Sequence, residues 1–149
     1  MAVSDSAIIH DSVIFIRNLL SSITDPQSTK RPSNSNFVMT SYPDRKAWYP
    51  LLTVKNMGLP ARRAGQNTEE MYFTVTTEIR VWARSVDSRD LLTDAVVNLL
   101  RTSQQGAGGT IVEGLHDFSL ESIVPVDEDG ENGIHSHVIT ISYGFVTGQ

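Results

Sequence analysis

Between Met71 and Arg84 apolar and polar positions alternate without a break. Met71, Phe73, Val75, Thr77, Ile79, Val81 and Ala83 fall on one side. Tyr72, Thr74, Thr76, Glu78, Arg80, Trp82 and Arg84 fall on the other. A period of two is that of a β-strand with one apolar and one largely polar face. At about 3.3 Å per residue the run reaches roughly 45 Å, well past the usual strand of about 5–6 residues. A small domain needs no strand of that length for its own core, so the excess points to a platform that meets something else.

The rest of the chain reads around this strand. Ile9, Val13, Ile16, Leu20 and Ile23, widened by Ile8, Phe15 and Leu19, recur at helical spacing. They predict a helix capped by Ser4 or Asp5 and stopped at Asp25-Pro26. Residues 26–36 are polar and turn-forming. Phe37 to Tyr42 predicts a short strand ending at Pro43, and Leu51 to Lys55 another, opened by Pro50. Residues 57–70 read as a loop carrying Arg62 and Arg63. A second helix follows, with Asp87 as its expected N-cap and Leu91, Leu92, Ala95, Val96, Leu99 and Leu100 as its stripe. Gly106 to Gly109 stops it. Phe118 to Val124 predicts a strand of mixed phase, then residues 127–133 an acidic turn. Ile134 to Val146 predicts the closing strand.

The expected order is therefore helix, three strands, helix, two strands, in one domain spanning residues 1–149. Each helix has a single apolar stripe, so both should pack on one face of a mainly antiparallel sheet, an α+β fold.

Composition narrows the function classes. The chain has 149 residues, 40% hydrophobic and 19% charged, which excludes disorder and allows a real core. No apolar run approaches the roughly 20 residues of a spanning helix. The N-terminus has no basic segment ahead of its first apolar run, so no signal peptide is expected. With no cysteine, disulfides, thiolate metal sites and cysteine nucleophiles are excluded. A net charge of −5 gives no drive to wrap nucleic acid.

Candidate chemistry is thin. His135 and His137 project to one strand face, as a chelating pair requires, but no third ligand is marked. Asp127, Glu128, Asp129 and Glu131 surround Gly130 without the twelfth-position glutamate or flanking helices of an EF-hand, so a solvated turn is the expectation. Gly106 to Gly109 leaves a helix instead of opening one and has no lysine-serine pair, unlike a phosphate loop. No nucleophile elbow accompanies the serines and histidines. No catalytic residue, cofactor or metal is therefore expected. Arg45, Lys46, Trp48 and Tyr49 combine charge with stacking surface. In an acidic chain that mixture fits a protein interface better than nucleic acid, and aromatic packing at a sheet edge fits it about as well.

The run from Phe37 to Pro43, then Asp44 and Arg45, then Trp48 to Val54, resembles a stretch in the tail terminator (tail completion) proteins of tailed viruses. There a strand ending in an aromatic-proline pair leads through a short basic segment into a second strand. The N-terminal helix, the long strand and the helix near Asp87 extend the resemblance over most of the chain. It implies a virion structural protein, assembled in the host cytoplasm and located at the head-proximal end of the tail. Such subunits form a ring, usually a homohexamer, that caps the tail tube and offers a joining surface to the head. The implied partners are further copies of the chain, the tail-tube protein and a head-completion or neck protein. Neither membrane nor sequence-specific nucleic acid is implied, though DNA passes through such a ring. Expected contact residues are Tyr42, Arg45, Trp48, Tyr49, Arg62, Arg63, Arg80 and Trp82. Competing readings are another neck or head-closure ring component, a tail-tube-related subunit, or a small ligand-binding or hydrolytic enzyme with its site around Tyr42–Tyr49.

Overall fold

The structure is a computed structural model that describes residues 3–32, 36–40, 48–63, 70–105, 109–111, 114–129 and 133–147, with 127–129 by backbone alone. Its elements are α1 (Ile8–Leu20), β1 (Val38–Met39), β2 (Leu51–Gly58), β3 (Ala61–Arg63), β4 (Met71–Ala83), α2 (Val86–Thr102), β5 (His116–Asp129) and β6 (Ile134–Val146). The fold is α+β, with the predicted order and one additional short strand, β3, inside the segment read as a loop. Ala61 to Arg63 carry no alternating pattern; pairing with Met71 to Phe73 of β4 makes them a strand.

The sheet runs β1-β2-β4-β6-β5, with β3 beside β4. β1 pairs with β2 in parallel and every other pairing is antiparallel. The long strand sits in the middle. β4 pairs with β6 over its whole length, from Tyr72 opposite Val146 to Ala83 opposite His135. β5 and β6 form the hairpin expected about the acidic turn, although β5 continues to Asp129, inside the residues assigned to that turn.

One face of the sheet holds the core. Val75, Ile79 and Val81 of β4, Leu52 and Val54 of β2, and Ile139, Ile141, Tyr143 and Phe145 of β6 point to it. Ile16 and Leu20 of α1 and Leu92, Val96 and Leu100 of α2 join the same buried cluster. Each helix thus buries its stripe against one sheet face, which is where most of the stabilising apolar burial lies. Thr77 also points inward, and neither its hydroxyl nor that of Tyr143 has a hydrogen-bond partner. Burial pushes the Tyr143 phenol above its ordinary range.

The helix ends depart from expectation. α1 begins after Ala7 without a side-chain cap; Asp11 instead accepts the Ser4 amide at 3.0 Å from within the first turn. It stops at Leu20, five residues short of Asp25-Pro26. The hydroxyls of Ser21 and Ser22 donate to the carbonyls of Arg17 and Leu19, at 2.9 and 2.8 Å, and close the last turn locally. In α2 the cap is Ser85, whose Oγ accepts from the Ser88 amide at 3.1 Å, so Asp87 lies in the first turn. Serine two residues earlier satisfies the orphan amides first, and Asp87 serves the helix N-terminus by charge alone.

Candidate interaction face

Among the described residues no helix packs on the other face of the sheet. Register puts Leu51, Thr53 and Lys55 of β2 beside Trp82, Arg80 and Glu78 of β4 there, since directly opposed residues share a face. Ser136, Val138 and Thr140 of β6 continue the rows. A polar strand face without a covering layer should be wet. Instead Arg80 and Trp82 are 5% and 7% exposed.

They pack against each other. The Arg80 guanidinium lies over the Trp82 ring, 4.1 Å from its centroid. Its Nε and Nη2 donate to Ser136 Oγ at 3.3 and 3.1 Å, and Ser136 Oγ donates to the Val126 carbonyl at 2.7 Å. Trp82 Nε1 donates to Thr53 Oγ1 at 3.1 Å. Beside them Lys55 Nζ meets Glu78 Oε2 at 3.3 Å. A polar thread thus crosses from β2 to β5. Arg80 and Trp82, expected as contact residues, lie in the interior of this face and stiffen it.

The same arginine-on-aromatic stacking recurs at both ends of the face. Arg84 lies over Tyr49 at 5.1 Å and Arg62 over Tyr72 at 4.8 Å. Such pairs gain about 0.5–1 kcal/mol each at exposed sites. At the Tyr72 end the ring also approaches His116, with centroids 6.1 Å apart, and its hydroxyl donates to Asp117 Oδ2 at 3.4 Å. Gly144 makes this possible. A Cβ there would lie 2.5 Å from the Tyr72 hydroxyl and 2.8 Å from the His116 ring. Asp117 has φ 55°, and the register slips between His116 and Ser119, so a bulge turns Asp117 toward Tyr72.

The remaining expected contact residues divide. Trp48, 41% exposed, and Tyr49 precede β2. Arg62 and Arg63 are exposed on β3. Arg62 pairs with Tyr72 and shares its face, whereas Arg63 pairs with Met71 and shares the helix-side face. Tyr42 and Arg45 lie outside the described residues, as do Lys46 and most of the Gly106–Gly109 stretch. The structure thus brings Tyr49, Arg62, Arg80 and Trp82 onto one face, at its two ends and its middle.

His137 does not form a metal site with His135. Its Nδ1 meets Thr93 Oγ1 at 2.7 Å and its Nε2 faces Asp90 Oδ1 at 3.8 Å. A carboxylate, an imidazole and a hydroxyl in line have the outline of a nucleophilic triad. The hydroxyl, however, is buried in the middle of α2 and also donates to the Arg89 carbonyl at 2.8 Å. No substrate reaches it there, and the arrangement acts as a tie between α2 and β6. Among the described residues no group of three or more His, Asp or Glu is placed to hold a metal ion.

Two features were hidden from the sequence reading. Arg31, one basic residue in a polar loop, makes four hydrogen bonds near the face. It donates to Asp25 through Nε at 2.7 Å and Nη2 at 3.0 Å, and to the carbonyls of Trp48 and Pro50 at 2.6 Å each. It fixes the backbone that carries Trp48 and Tyr49. The second is β5. From Ser119 to Pro125 every residue is exposed, including Leu120, Ile123 and Val124 at 40–48%. The mixed phase of the sequence run was its signal: a strand without a covered face has no reason to alternate.

No family model and no curated protein matches the chain. Among solved structures, a chain from the virion of a native gene transfer agent particle is similar, with a TM-score of 0.58 and 10% identity. The match covers 93% of this chain and 95% of that one, so the two share a fold from end to end.

Proposed function

We propose that this chain is a virion structural protein and, within that role, the tail terminator: a ring subunit that closes the head-proximal end of the tail tube and presents the joining surface for the head. The observation that carries the reading is the end-to-end fold likeness to a chain of a gene transfer agent virion. The chain's own surface supports it. An exposed apolar edge strand and stacked arginines and aromatics are features of a subunit that works through contacts. The protein acts by geometry. Heterologous contacts between copies close a ring, one rim ends tube growth, and the other receives the neck; no reaction is involved.

The test is removal of the gene in a virus or particle that carries it. Tails of uncontrolled length, unattached to heads and corrected by supplying the protein, are expected. Normal-length tails on leaking, DNA-filled heads would assign the chain to head closure, the second reading. Normal particles would defeat both.

A further inference from the structure

The two lateral edges of the sheet differ in sign. After Arg101 the chain has no lysine or arginine, yet it carries Glu113, Asp117, Glu121, Asp127, Glu128, Asp129 and Glu131. From Lys30 to Arg63 it carries Lys30, Arg31, Arg45, Lys46, Lys55, Arg62 and Arg63 against Asp44 alone. Of the described members, Asp117 and Glu121 sit on β5 at one edge, and Lys55, Arg62 and Arg63 on β2 and β3 at the other.

The edges also match as strands. β5 is the end of the sheet and exposes apolar and backbone groups over Ser119–Pro125. An exposed edge of this length is a template for pairing, interrupted here by Pro125 and by register shifts at His116/Ser119, Leu120/Ser122 and Val126/Asp129. β5 has no lysine. Successive antiparallel pairings make β2 and β3 run opposite to β5. β1 covers β2 at Leu52 and Thr53, so the edge offered on that side is β2 beyond Thr53 together with β3. A second copy placed alongside in the same sense brings that edge antiparallel to β5. One level matches directly: Lys55 is on the rung of Glu78, Thr140 and Ser122, next to Glu121. Ala61 to Arg63 fall one to three steps beyond the rung of Thr74, Gly144 and His116, where β5 begins, so the arginines overhang that end of β5.

We propose that the acidic, apolar β5 edge is one half of a self-complementary pair, and that its occupant is the basic β2–β3 edge of a second copy of this chain. This deepens the ring reading above and rests on it for biological setting. Because each copy offers one edge of each kind, the contact is heterologous. It repeats head to tail, without the mutual exchange of a two-fold dimer.

Charge reversal tests the pairing by sign. Variant one carries Glu121→Lys and Ser122→Lys; variant two carries Arg62→Glu and Arg63→Glu. All four positions are exposed strand residues, and circular dichroism checks the fold. Each variant alone has like charges on both edges and should self-associate at least tenfold more weakly than the native chain, by light scattering at low salt. Mixed in equal amounts, every contact again joins opposite signs, and association should return. Unchanged association of either variant alone, or no recovery in the mixture, would overturn the proposal.

A second measurement covers rings that form only on the particle. The chain has no cysteine, so Lys55→Cys with Ser122→Cys introduces the only thiols. Three strand spacings of about 4.8 Å separate these positions within one copy, too far for an internal disulfide. Oxidation of the purified chain, and of particles assembled with it, should give a ladder of covalent multimers from the double variant and none from either single variant. Monomer alone in both settings, or dimers from Ser122→Cys alone, would refute the pairing. The two readings fail separately. Particles that contain the chain without the disulfide sink the edge pairing, whereas a disulfide in the purified chain with no chain in particles sinks the virion role.

Discussion

Arg31 ties together two segments beside the sheet face that no helix covers among the described residues. Its four donated hydrogen bonds hold the turn at Asp25 to the backbone of Trp48 and Pro50. The Arg31 guanidinium holds the Asp25 carboxyl below the ordinary 3.8, with the Gln27 amide adding to the effect. Since the folded pKa is the lower one, this contribution is full above about pH 4 and is lost as pH falls through the folded value. Arg31→Ala should cost about 2–3 kcal/mol in urea unfolding at pH 7, from charged hydrogen bonds lost at a side chain only 6% exposed. The variant should also lose less stability than the native chain on acidification below pH 4. A loss under about 0.5 kcal/mol would show that the clamp contributes nothing. None of this is legible in sequence, because the partners lie six, seventeen and nineteen residues away, at a helix stop and ahead of a strand, and two of them are backbone carbonyls that no side-chain pattern marks. The Gly144 cradle is equally silent, since nothing local marks a glycine in a strand as the seat of a tyrosine from another strand.

The elements were legible wherever one face meets the core. β4 and β6 alternate because the helices cover one side of each, and their bounds fall within a residue or so of the pattern. β3 and the ends of β5 were not, because strands exposed on both faces are made by pairing and not by their own pattern. α2 shows both cases. Its apolar residues outnumber what the core takes: Leu92, Val96 and Leu100 are buried, while Leu91, Ala95 and Leu99 line a groove with Ile23 and Pro26. Its start depends on a serine placed ahead of the stripe. Ser85→Ala should lower stability by about 1 kcal/mol, and Ser85→Asp should recover most of it, because either side chain caps the same amide. Equal loss in both variants, read by thermal unfolding, would remove the cap from the account. Leu20→Asp and Leu100→Asp each place an unpaired charge at a fully buried position and should abolish cooperative unfolding. Leu91→Asp, on the same helix and 65% exposed, should stay within about 0.5 kcal/mol of the native chain. If all three behave alike, the helix stripe is not core.

At the scale of the whole molecule, the helices stabilise one face of the sheet while Arg80, Trp82, Thr53 and Ser136 stiffen the other. The side chains of Trp48, Arg62 and Arg63 stand at the surface outside both. Trp48 is 41% exposed and Arg62 and Arg63 are exposed, so none contributes much to the core. Trp, Tyr and Arg at such positions favour protein contacts, where a handful of residues carries most of the energy. Trp48→Ala with Arg62→Ala and Arg63→Ala should therefore keep the melting temperature within a few degrees of the native chain. The small loss expected is that of the Arg62–Tyr72 stack, about 0.5–1 kcal/mol. In particles the same triple variant should fail, with overlong or unattached tails in place of capped ones. The triple variant would separate folding from assembly because Trp48, Arg62 and Arg63 are exposed and lie outside the buried core. Normal tail length and head joining in a folded triple variant would move the contact surface away from these segments. An unfolded triple variant would instead show that Trp48 and β3 belong to the structural frame.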